Sequence, residues 1–168
     1  MRYVPIDEAA EADPQAAVAR FFEAFARRDV EQMAACYHPM ASYSNPVFPD
    51  LRGALPGAMW RLALAHAEGW QLHWDIVYAD ARKAQVTWRA DWREGGRRRR
   101  VEAAATLALW DGDIVRHIDE FRFARWAAQA VGPSTLLVAW HPRFQQAVQR
   151  RARAALDRFA AEEASARR

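Results

Sequence analysis

The strongest constraint on the fold is a run of alternating apolar and polar residues between positions 71 and 122. In four consecutive stretches an apolar side chain occupies every second position, which is the period of a strand with one buried face. Glu94-Gly95-Gly96 and Asp111-Gly112 interrupt the run, and the second of these is a strong signal for a tight hairpin. The pattern predicts four consecutive antiparallel strands over 71–78, 85–93, 101–109 and 114–122.

Helical patterns flank these strands on both sides. Asp13 followed by Pro14 predicts an N-cap and a first helical turn. Asp29 predicts the cap of a short second helix that ends at His38-Pro39, because a residue before proline rarely stays helical. The other predicted elements are a short strand over 41–45 and helices over 53–66, over 123–131, directly after Pro133, and from Pro142 to about Ala164.

Helices and strands are segregated along the chain, which favours an α+β fold over repeated βαβ units. The sequence has 168 residues, a length that fits one domain, and no linker separates the C-terminal helices from the rest. We therefore expect a single domain over 1–168, with its core at about 13–123 and a helical C-terminal extension at about 124–164.

Neither the charge distribution nor the apolar stretches of the sequence indicate a nucleic-acid or membrane partner. The chain has 24 Lys+Arg against 21 Asp+Glu, and part of the excess lies in the run 97–100 on a predicted strand. Successive strand side chains point to opposite faces, so this run forms no continuous basic stripe and we expect no nucleic-acid partner. The apolar stretch 123–140 is interrupted by Arg125, Gln129 and Gly132-Pro133, so we expect no membrane partner.

The single cysteine, Cys36, cannot form an internal disulfide and is interpreted as a core thiol. Residues 1–8 lack an apolar stretch, so no secretory signal is predicted and a cytoplasmic location is expected. Eight tryptophans and eight phenylalanines are many for this length. They can either fill a core or line a cavity, and the sequence leaves that choice open.

The most informative polar residues are His117 and Asp119, on a strand face predicted to carry Val115 and Phe121. A carboxylate on an apolar face is costly unless it is paired or hydrogen-bonded. Residues two apart on a strand lie about 6.6 Å apart along it, so both side chains can reach one ligand. The pair is therefore either a satisfied core pair or a proton-transferring pair, since imidazole and carboxylate serve that role near neutral pH.

A third interpretation of the pair is a metal site. His117 and Asp119 with a later histidine, His141, have the composition of a 2-His-1-carboxylate iron site. The sequence has too few strands for the barrel that usually carries such a site, and it lacks nucleotide-binding and hydrolase motifs. We expect no metal and no cofactor.

From Ala19 to Phe123 the chain resembles the SnoaL-like branch of the NTF2-like superfamily. The segments that carry this resemblance, in chain order, are Ala19–Phe25 with Asp29-Val30, Tyr37-His38-Pro39, Tyr43–Phe48, Leu51-Arg52-Gly53 and Asp111–Phe121. The resemblance implies an NTF2-like cone, which is a curved, mostly antiparallel sheet wrapped round the N-terminal helices, with a cavity inside and usually a homodimer. Members of one fold differ widely in activity, so the fold alone does not fix the function.

Ketosteroid isomerase is a member of the superfamily that the chain resembles. The resemblance indicates which residues of this chain stand at the positions of its functional groups. The position of its general base is Asn45, and that of its oxyanion-hole tyrosine is Phe21. Its oxyanion-hole aspartate falls at Ala105 or Thr106. An amide, a phenyl ring and these small side chains cannot supply a base and a donor pair, so steroid isomerisation is not expected.

Other members suggest different chemistry. In polyketide cyclases a late-strand acid transfers protons, a role implied here for Asp119 with His117 as its partner. Dehydratases of this type add two tyrosines, for which Tyr43 and Tyr78 are the candidates. The Asp–Arg–Asp relay of epoxide hydrolases is not matched, since Arg89 and Asp91 are predicted on the outer face. The residues expected to bind substrate are Tyr43, Asn45, Trp60, Trp88 and Phe121.

Three functions remain open. The first is an enzyme that binds a small apolar molecule, aromatic or polyketide-like, and performs cyclase- or dehydratase-type chemistry on it. The second is a non-catalytic small-molecule binder, and the third is a protein-interaction module. The extension also has two interpretations, because Trp126, Leu136, Leu137 and Trp140 can cover the cavity or form a dimer contact.

Overall fold

A computed structural model describes residues 13–166. The segment 1–8, where no secretory signal is predicted, lies outside the described residues. The elements in chain order are α1 (Pro14–Arg27), α2 (Val30–Ala35), β1 (Tyr37–Ser44), β2 (Leu51–Arg52), α3 (Leu55–Leu64), β3 (Glu68–Ala79), β4 (Lys83–Glu94), β5 (Arg97–Trp110), β6 (Asp113–Phe121), α4 (Phe123–Ala130), a 3-10 turn (Pro133–Leu137) and α5 (Pro142–Ala166).

The strands form one mixed sheet in the order β2-β1-β6-β5-β4-β3. Strands β3 to β6 pair antiparallel with their sequence neighbours, which confirms the predicted four-strand run. Strand β1 pairs parallel with β6, although the two strands lie far apart in sequence. Helices and strands are segregated as predicted, and the α+β fold class is confirmed.

Local sequence signals account for the turns and caps. Asp13 and Asp29 each accept a hydrogen bond from a backbone N–H in the first turn of α1 and α2. Asp111 and Gly112 both have positive φ, 50° and 80°, as a two-residue hairpin of type I′ requires. The hairpin between β5 and β6 is therefore encoded by two adjacent residues.

The prediction for the first strand was wrong at its boundaries. Helix α2 ends at Ala35 rather than at His38-Pro39, and β1 starts at Tyr37. The pairing of β1 with β6 shifts register between Tyr37 and Ser42. This irregularity accommodates Pro39, which has no N–H to donate to a regular ladder. The strand therefore starts four residues before position 41, where it was predicted.

A second irregularity changes which residues of β6 are buried. Leu109 pairs with Ile114 and Ala108 pairs with Arg116, so Val115 has no partner on β5. Ile114 is consequently buried and Val115 only half-buried, whereas the sequence predicted Val115 on the inner face. Beyond this bulge the alternation holds.

Helix α1 packs its apolar stripe against the inner face of the sheet. Phe21, Phe22 and Phe25 are all buried, and the rings of Phe21 and Phe22 meet edge to face at 5.3 Å. Phe25 contacts Trp60 of α3 and Trp88 of β4 at ring distances of 4.8 and 5.4 Å. The phenylalanines of α1 therefore fill the core between this helix and the inner face of the sheet.

The C-terminal extension docks onto the core through α5. Leu156 is fully buried within the main hydrophobic cluster. Arg61 of α3 forms an ion pair with Glu163 at 2.9 Å, and Gln149 donates a hydrogen bond to the carbonyl of Pro46. Among residues 13–166, no helix is long and apolar enough to cross a membrane.

We predict that Leu156→Ala destabilises the whole domain by about 2–5 kcal/mol, because it leaves a cavity in the core. Urea unfolding followed by circular dichroism should show a single transition at a lower midpoint. The exposed Arg151→Ala on the same helix is the control and should change the free energy of unfolding by about 0.5 kcal/mol or less. A two-step transition would contradict the single domain expected over 1–168.

Candidate functional site

Asp119 is the centre of the polar interior. Its side chain is 1% exposed and accepts three hydrogen bonds. Tyr43 Oη donates to Oδ2 at 2.8 Å, and Trp88 Nε1 donates to Oδ1 at 2.9 Å. His117 Nε2 lies 3.2 Å from the same Oδ1. Both carboxylate oxygens of Asp119 therefore have at least one hydrogen-bond donor, as a buried carboxylate requires.

His117 links Asp119 to a second set of aromatic residues. Its Nδ1 lies 2.8 Å from the hydroxyl of Tyr37, the first residue of β1. Trp60 Nε1 of α3 donates to that same hydroxyl at 3.1 Å. Elements β1, α3, β4 and β6 are therefore joined by one continuous chain of hydrogen bonds, all of it inside the domain.

One arrangement of protons gives each of these contacts a donor and an acceptor. The indole of Trp60 can only donate, so Tyr37 accepts from it and still has its own proton to donate to His117 Nδ1. In this arrangement Nδ1 is the acceptor and His117 donates from Nε2 to Asp119. The chain of donors then ends at the carboxylate of Asp119.

Asn45 supports the network from the loop after β1. Its Nδ2 donates to the Tyr43 hydroxyl at 3.0 Å, while its Oδ1 accepts from the backbone N–H groups of Val47 and Phe48. Both ends of the amide are thus engaged, which holds the turn and orients Tyr43. At the position where ketosteroid isomerase has its base, this chain has a structural cap.

Burial also governs the two tyrosines. It raises the pKa of Tyr43 well above its usual range, and the negative charge of Asp119 raises it further. Burial likewise raises the pKa of Tyr37, against a smaller opposing effect of the Trp60 hydrogen bond. Both phenols therefore stay protonated and act as donors at neutral pH.

A cavity of about 270 Å³ lies next to this network. Its walls are mostly apolar and rich in aromatic rings, and all five residues predicted to bind substrate line it: Tyr43, Asn45, Trp60, Trp88 and Phe121. An apolar lining with a few polar groups is typical of small-molecule sites, and the volume lies just below their usual range of about 300–1,000 Å³. The surplus of tryptophan thus lines a space, while the phenylalanines of α1 mainly fill the core.

Asp119 and His117 do not line this cavity. Tyr43 and Trp88 stand between them and the empty space, since both contact the carboxylate and both form part of the wall. The structure therefore brings the predicted acid–base pair and the predicted binding residues together, but in two successive layers. The catalytic role of the pair stays a prediction.

Other candidates named from the sequence lie elsewhere. Tyr78 is half exposed and donates to Asp80, so it is not the second tyrosine of the network; Tyr37 occupies that place. Arg89 and Asp91 form an ion pair at 3.3 Å on the outer face, as predicted. In the part of the chain the structure describes, no three His, Cys, Asp or Glu side chains are grouped as metal ligands, and His141 is exposed.

The two interpretations of the C-terminal extension apply to different residues. Trp126 of α4 lines the cavity and covers one side of it. Leu136, Leu137 and Trp140 do not line it, and their side chains are 54, 79 and 74% exposed. Helix α4 therefore acts as a wall of the cavity, and the segment after it is free to contact another molecule.

Sequence reasoning missed Tyr37 and Arg99. Tyr37 was assigned to a helix because His38-Pro39 was read as the helix end. Arg99 was treated only as one of the four arginines at 97–100, although it alternates in register with Val101, whose side chain lines the cavity. The period of two, extended two residues further back, would have placed Arg99 on the inner face.

Comparison with known proteins gives one sequence family. The family model described as SnoaL-like domain matches residues 18–117. No curated protein sequence matches the chain at a significant level.

Solved structures show the same fold. A "putative polyketide cyclase" from Silicibacter sp. TM1040 is 22% identical with a TM-score of 0.59, covering 70% of this chain and 95% of its own. An LEH-like epoxide hydrolase from M. tuberculosis is 20% identical, with a TM-score of 0.55 and coverages of 73% and 93%. An NTF2-like protein of unknown function from Burkholderia pseudomallei is 17% identical, with a TM-score of 0.61 and coverages of 71% and 98%. At these identities the likeness establishes the NTF2-like fold and nothing finer.

The network predicts a loss of stability at alkaline pH. Since the folded-state pKa values of Tyr37 and Tyr43 are raised, the folded chain keeps protons that the unfolded chain releases near pH 10. The two tyrosines therefore leave the free energy of unfolding unchanged below about pH 10. Above that pH, the free energy of unfolding falls by about 1.4 kcal/mol per pH unit for each tyrosine. Urea unfolding across this range measures the slope. Tyr43→Phe should remove one tyrosine's share of the slope, and an unchanged slope would contradict a neutral, buried Tyr43.

Proposed function

This chain belongs to the SnoaL-like domain family, and on that premise we propose that its cavity binds a small apolar molecule, aromatic or polyketide-like, and performs acid–base chemistry of cyclase or dehydratase type on it. The observation that carries the proposal is the aromatic cavity of about 270 Å³ next to a buried carboxylate. The polyketide cyclase-like and epoxide hydrolase-like neighbours support small-molecule chemistry on this fold.

The walls of the cavity suit a flat, apolar ligand. Trp60, Trp70, Trp88 and Trp92 surround the space together with Phe25. Aromatic side chains offer large contact areas and favour offset or edge-to-face packing with a second ring. The polar groups that can orient such a ligand near the network are the hydroxyl of Tyr43 and the amide of Asn45.

In the proposed reaction Tyr43 is the group that touches substrate. A proton leaves a carbon next to a substrate carbonyl and joins the Tyr43 oxygen as the Tyr43 proton moves to Asp119 Oδ2, and the electron pair of the broken C–H bond stays on the substrate as an enolate. In a cyclisation that carbon bonds to a second carbonyl carbon of the substrate, and reversal of the two transfers places the proton on the oxygen of that second carbonyl. In a dehydration the enolate electrons form a C=C bond as the neighbouring C–O bond breaks, and the returned proton leaves with the hydroxyl as water. The protein is unchanged at the end of either reaction. His117 holds Asp119 in place by its Nε2–H, and its own tautomer is fixed by Tyr37.

The alternative is a non-catalytic binder, and one observation favours it. Asp119 has three donors and no contact with the cavity, so its charge is already fully compensated inside the fold. In this alternative the carboxylate has a structural role and holds Tyr43, Trp88 and His117 in position. Enzyme and binder share the same ligand site and differ in whether Tyr43 exchanges its proton.

We predict that filling the cavity abolishes ligand binding. Ala90 is buried on its wall, and Ala90→Leu adds volume there, at a cost of about 1–3 kcal/mol in stability. A panel of aromatic ketones tested by calorimetry should bind the wild type and lose about tenfold or more in affinity on this change. Ala104→Leu on the outer face of β5 is the matched control and should bind as the wild type does. Binding that survives Ala90→Leu would contradict the cavity as the site.

Asp119→Asn separates catalysis from binding. If the proposed reaction occurs, this variant keeps ligand affinity within about threefold and loses about 100-fold or more in turnover, as expected for a removed proton acceptor. Turnover is followed by mass spectrometry on the ligands that calorimetry selects. A fully active Asp119→Asn would contradict the acid–base role, and bound ligands that the wild type never converts would favour the non-catalytic alternative.

We also propose that the chain forms a homodimer, as the resemblance implies. Support comes from large apolar side chains exposed in the segment after α4, namely Val131, Leu136, Leu137, Val138 and Trp140. Light scattering should give twice the chain mass of 19.2 kDa. Leu137→Asp should yield a folded monomer, whereas Met40→Asp, at an exposed apolar residue of β1, should leave the dimer intact. A monomeric wild type would contradict the proposal.

A further inference from the structure

Arg99 differs from the other members of the four-arginine run that begins β5. Arg97, Arg98 and Arg100 are exposed, whereas the Arg99 side chain is only 14% exposed. It pairs across the ladder with Trp92 and lines the aromatic cavity together with Glu94 and Gln129. Placing a guanidinium on the wall of an apolar cavity costs free energy unless its charge is paired or hydrogen-bonded.

The charge of Arg99 is incompletely matched within the protein. Among the described residues its ion-pair partner is Glu94, with Nε 3.3 Å from Oε2, and no hydrogen bond from its guanidinium is formed. A guanidinium has five N–H donors in a planar fork. No fully buried side-chain nitrogen in residues 13–166 lacks a partner, so these donors reach accessible space, and Arg99 lines the cavity.

Glu94 is placed so that a ligand can replace it. Its side chain is 47% exposed and it ends β4 beside the Gly95-Gly96 turn, so its carboxylate can turn into solvent. Because Glu94 is half exposed, water competes for its carboxylate and weakens its attraction to Arg99. A ligand carboxylate that enters the cavity would meet the same guanidinium with less competition from water and with both oxygens available for a bidentate contact.

The register places Arg99 far from the proton-transferring end of the site. Tyr43 pairs with His117, and His117 pairs with Leu107 of β5, well along the strand from Arg99. The cavity therefore has one polar end at Tyr43 and Asn45 and another at Arg99, with tryptophans between them. Two polar ends separated by an aromatic wall select for a ligand with the same distribution of groups.

We propose that the cavity selects an aromatic carboxylic acid whose ring lies against the tryptophan wall and whose carboxylate binds Arg99. This inference rests on the proposed function and narrows its ligand class from apolar molecules to amphipathic anions. It makes Arg99 a specificity-determining residue that contacts the ligand at the end away from Tyr43.

The test compares two probes of nearly the same shape, the charged naphthalene carboxylate and the neutral naphthalene carboxamide, by calorimetry near neutral pH. The wild type should bind the carboxylate about tenfold more tightly, as expected for a charge-assisted hydrogen bond. Arg99→Gln should remove that preference while leaving carboxamide affinity unchanged. Glu94→Gln, which removes the internal competitor, should raise carboxylate affinity by about threefold or more. The exposed Arg98→Gln is the matched control and should bind both probes as the wild type does.

The outcomes distinguish this inference from the proposed function. Equal affinity of the wild type for the two probes, or an unchanged preference in Arg99→Gln, overturns the inference and leaves ligand binding standing. Failure of both probes to bind overturns the inference together with the proposed function. If Arg99→Gln does not fold, Glu94→Gln decides: a rise in carboxylate affinity alone supports the inference, and no rise overturns it.

Discussion

A carboxylate buried in an aromatic interior must be given hydrogen bonds, and the arrangement around Asp119 meets that requirement. Trp88, Tyr43 and His117 supply the three donors, each from a different strand or strand position. Loss of the Tyr43 donor would leave Oδ2 without a hydrogen bond, at a cost of about 1–3 kcal/mol or more. The packing of β1, β4 and β6 against α1 and α3 is therefore tied to one charge, and side chains around the cavity are held in fixed orientations by it.

This arrangement divides the interior into a polar layer and an apolar space. The polar layer is satisfied internally, and Tyr43 and Trp88 belong to both parts, since each contacts Asp119 and the cavity. A ligand would thus contact groups whose positions are set before it arrives, which lowers the cost of binding. The SnoaL-like domain matches residues 18–117, so helices α4 and α5 lie outside the matched range.

Sequence patterns predicted the strands from β3 to β6 well, because alternation and the Asp111-Gly112 turn act locally. They failed at β1, where Pro39 is accommodated by a register irregularity that only pairing with β6 explains. Among site residues, parity along β6 correctly put His117 and Asp119 on the inner face. It could not show that Tyr43 and Trp88 stand between Asp119 and the cavity, because that depends on side chains from three strands meeting in space. Tyr37 was missed because His38-Pro39 indicated the end of a helix at the point where β1 has already started.

The parallel pairing of β1 with β6 also has a consequence for how the chain folds. The hydrogen bond between Tyr43 and Asp119 joins residues 76 positions apart. Contacts of such long sequence separation close a large loop, and their entropy cost slows folding. Strand β1 must therefore wait for β6, the last strand, before its parallel partner exists. During synthesis this leaves one edge of β1 unpaired until β6 has left the ribosome, and an unpaired strand edge can pair with another chain.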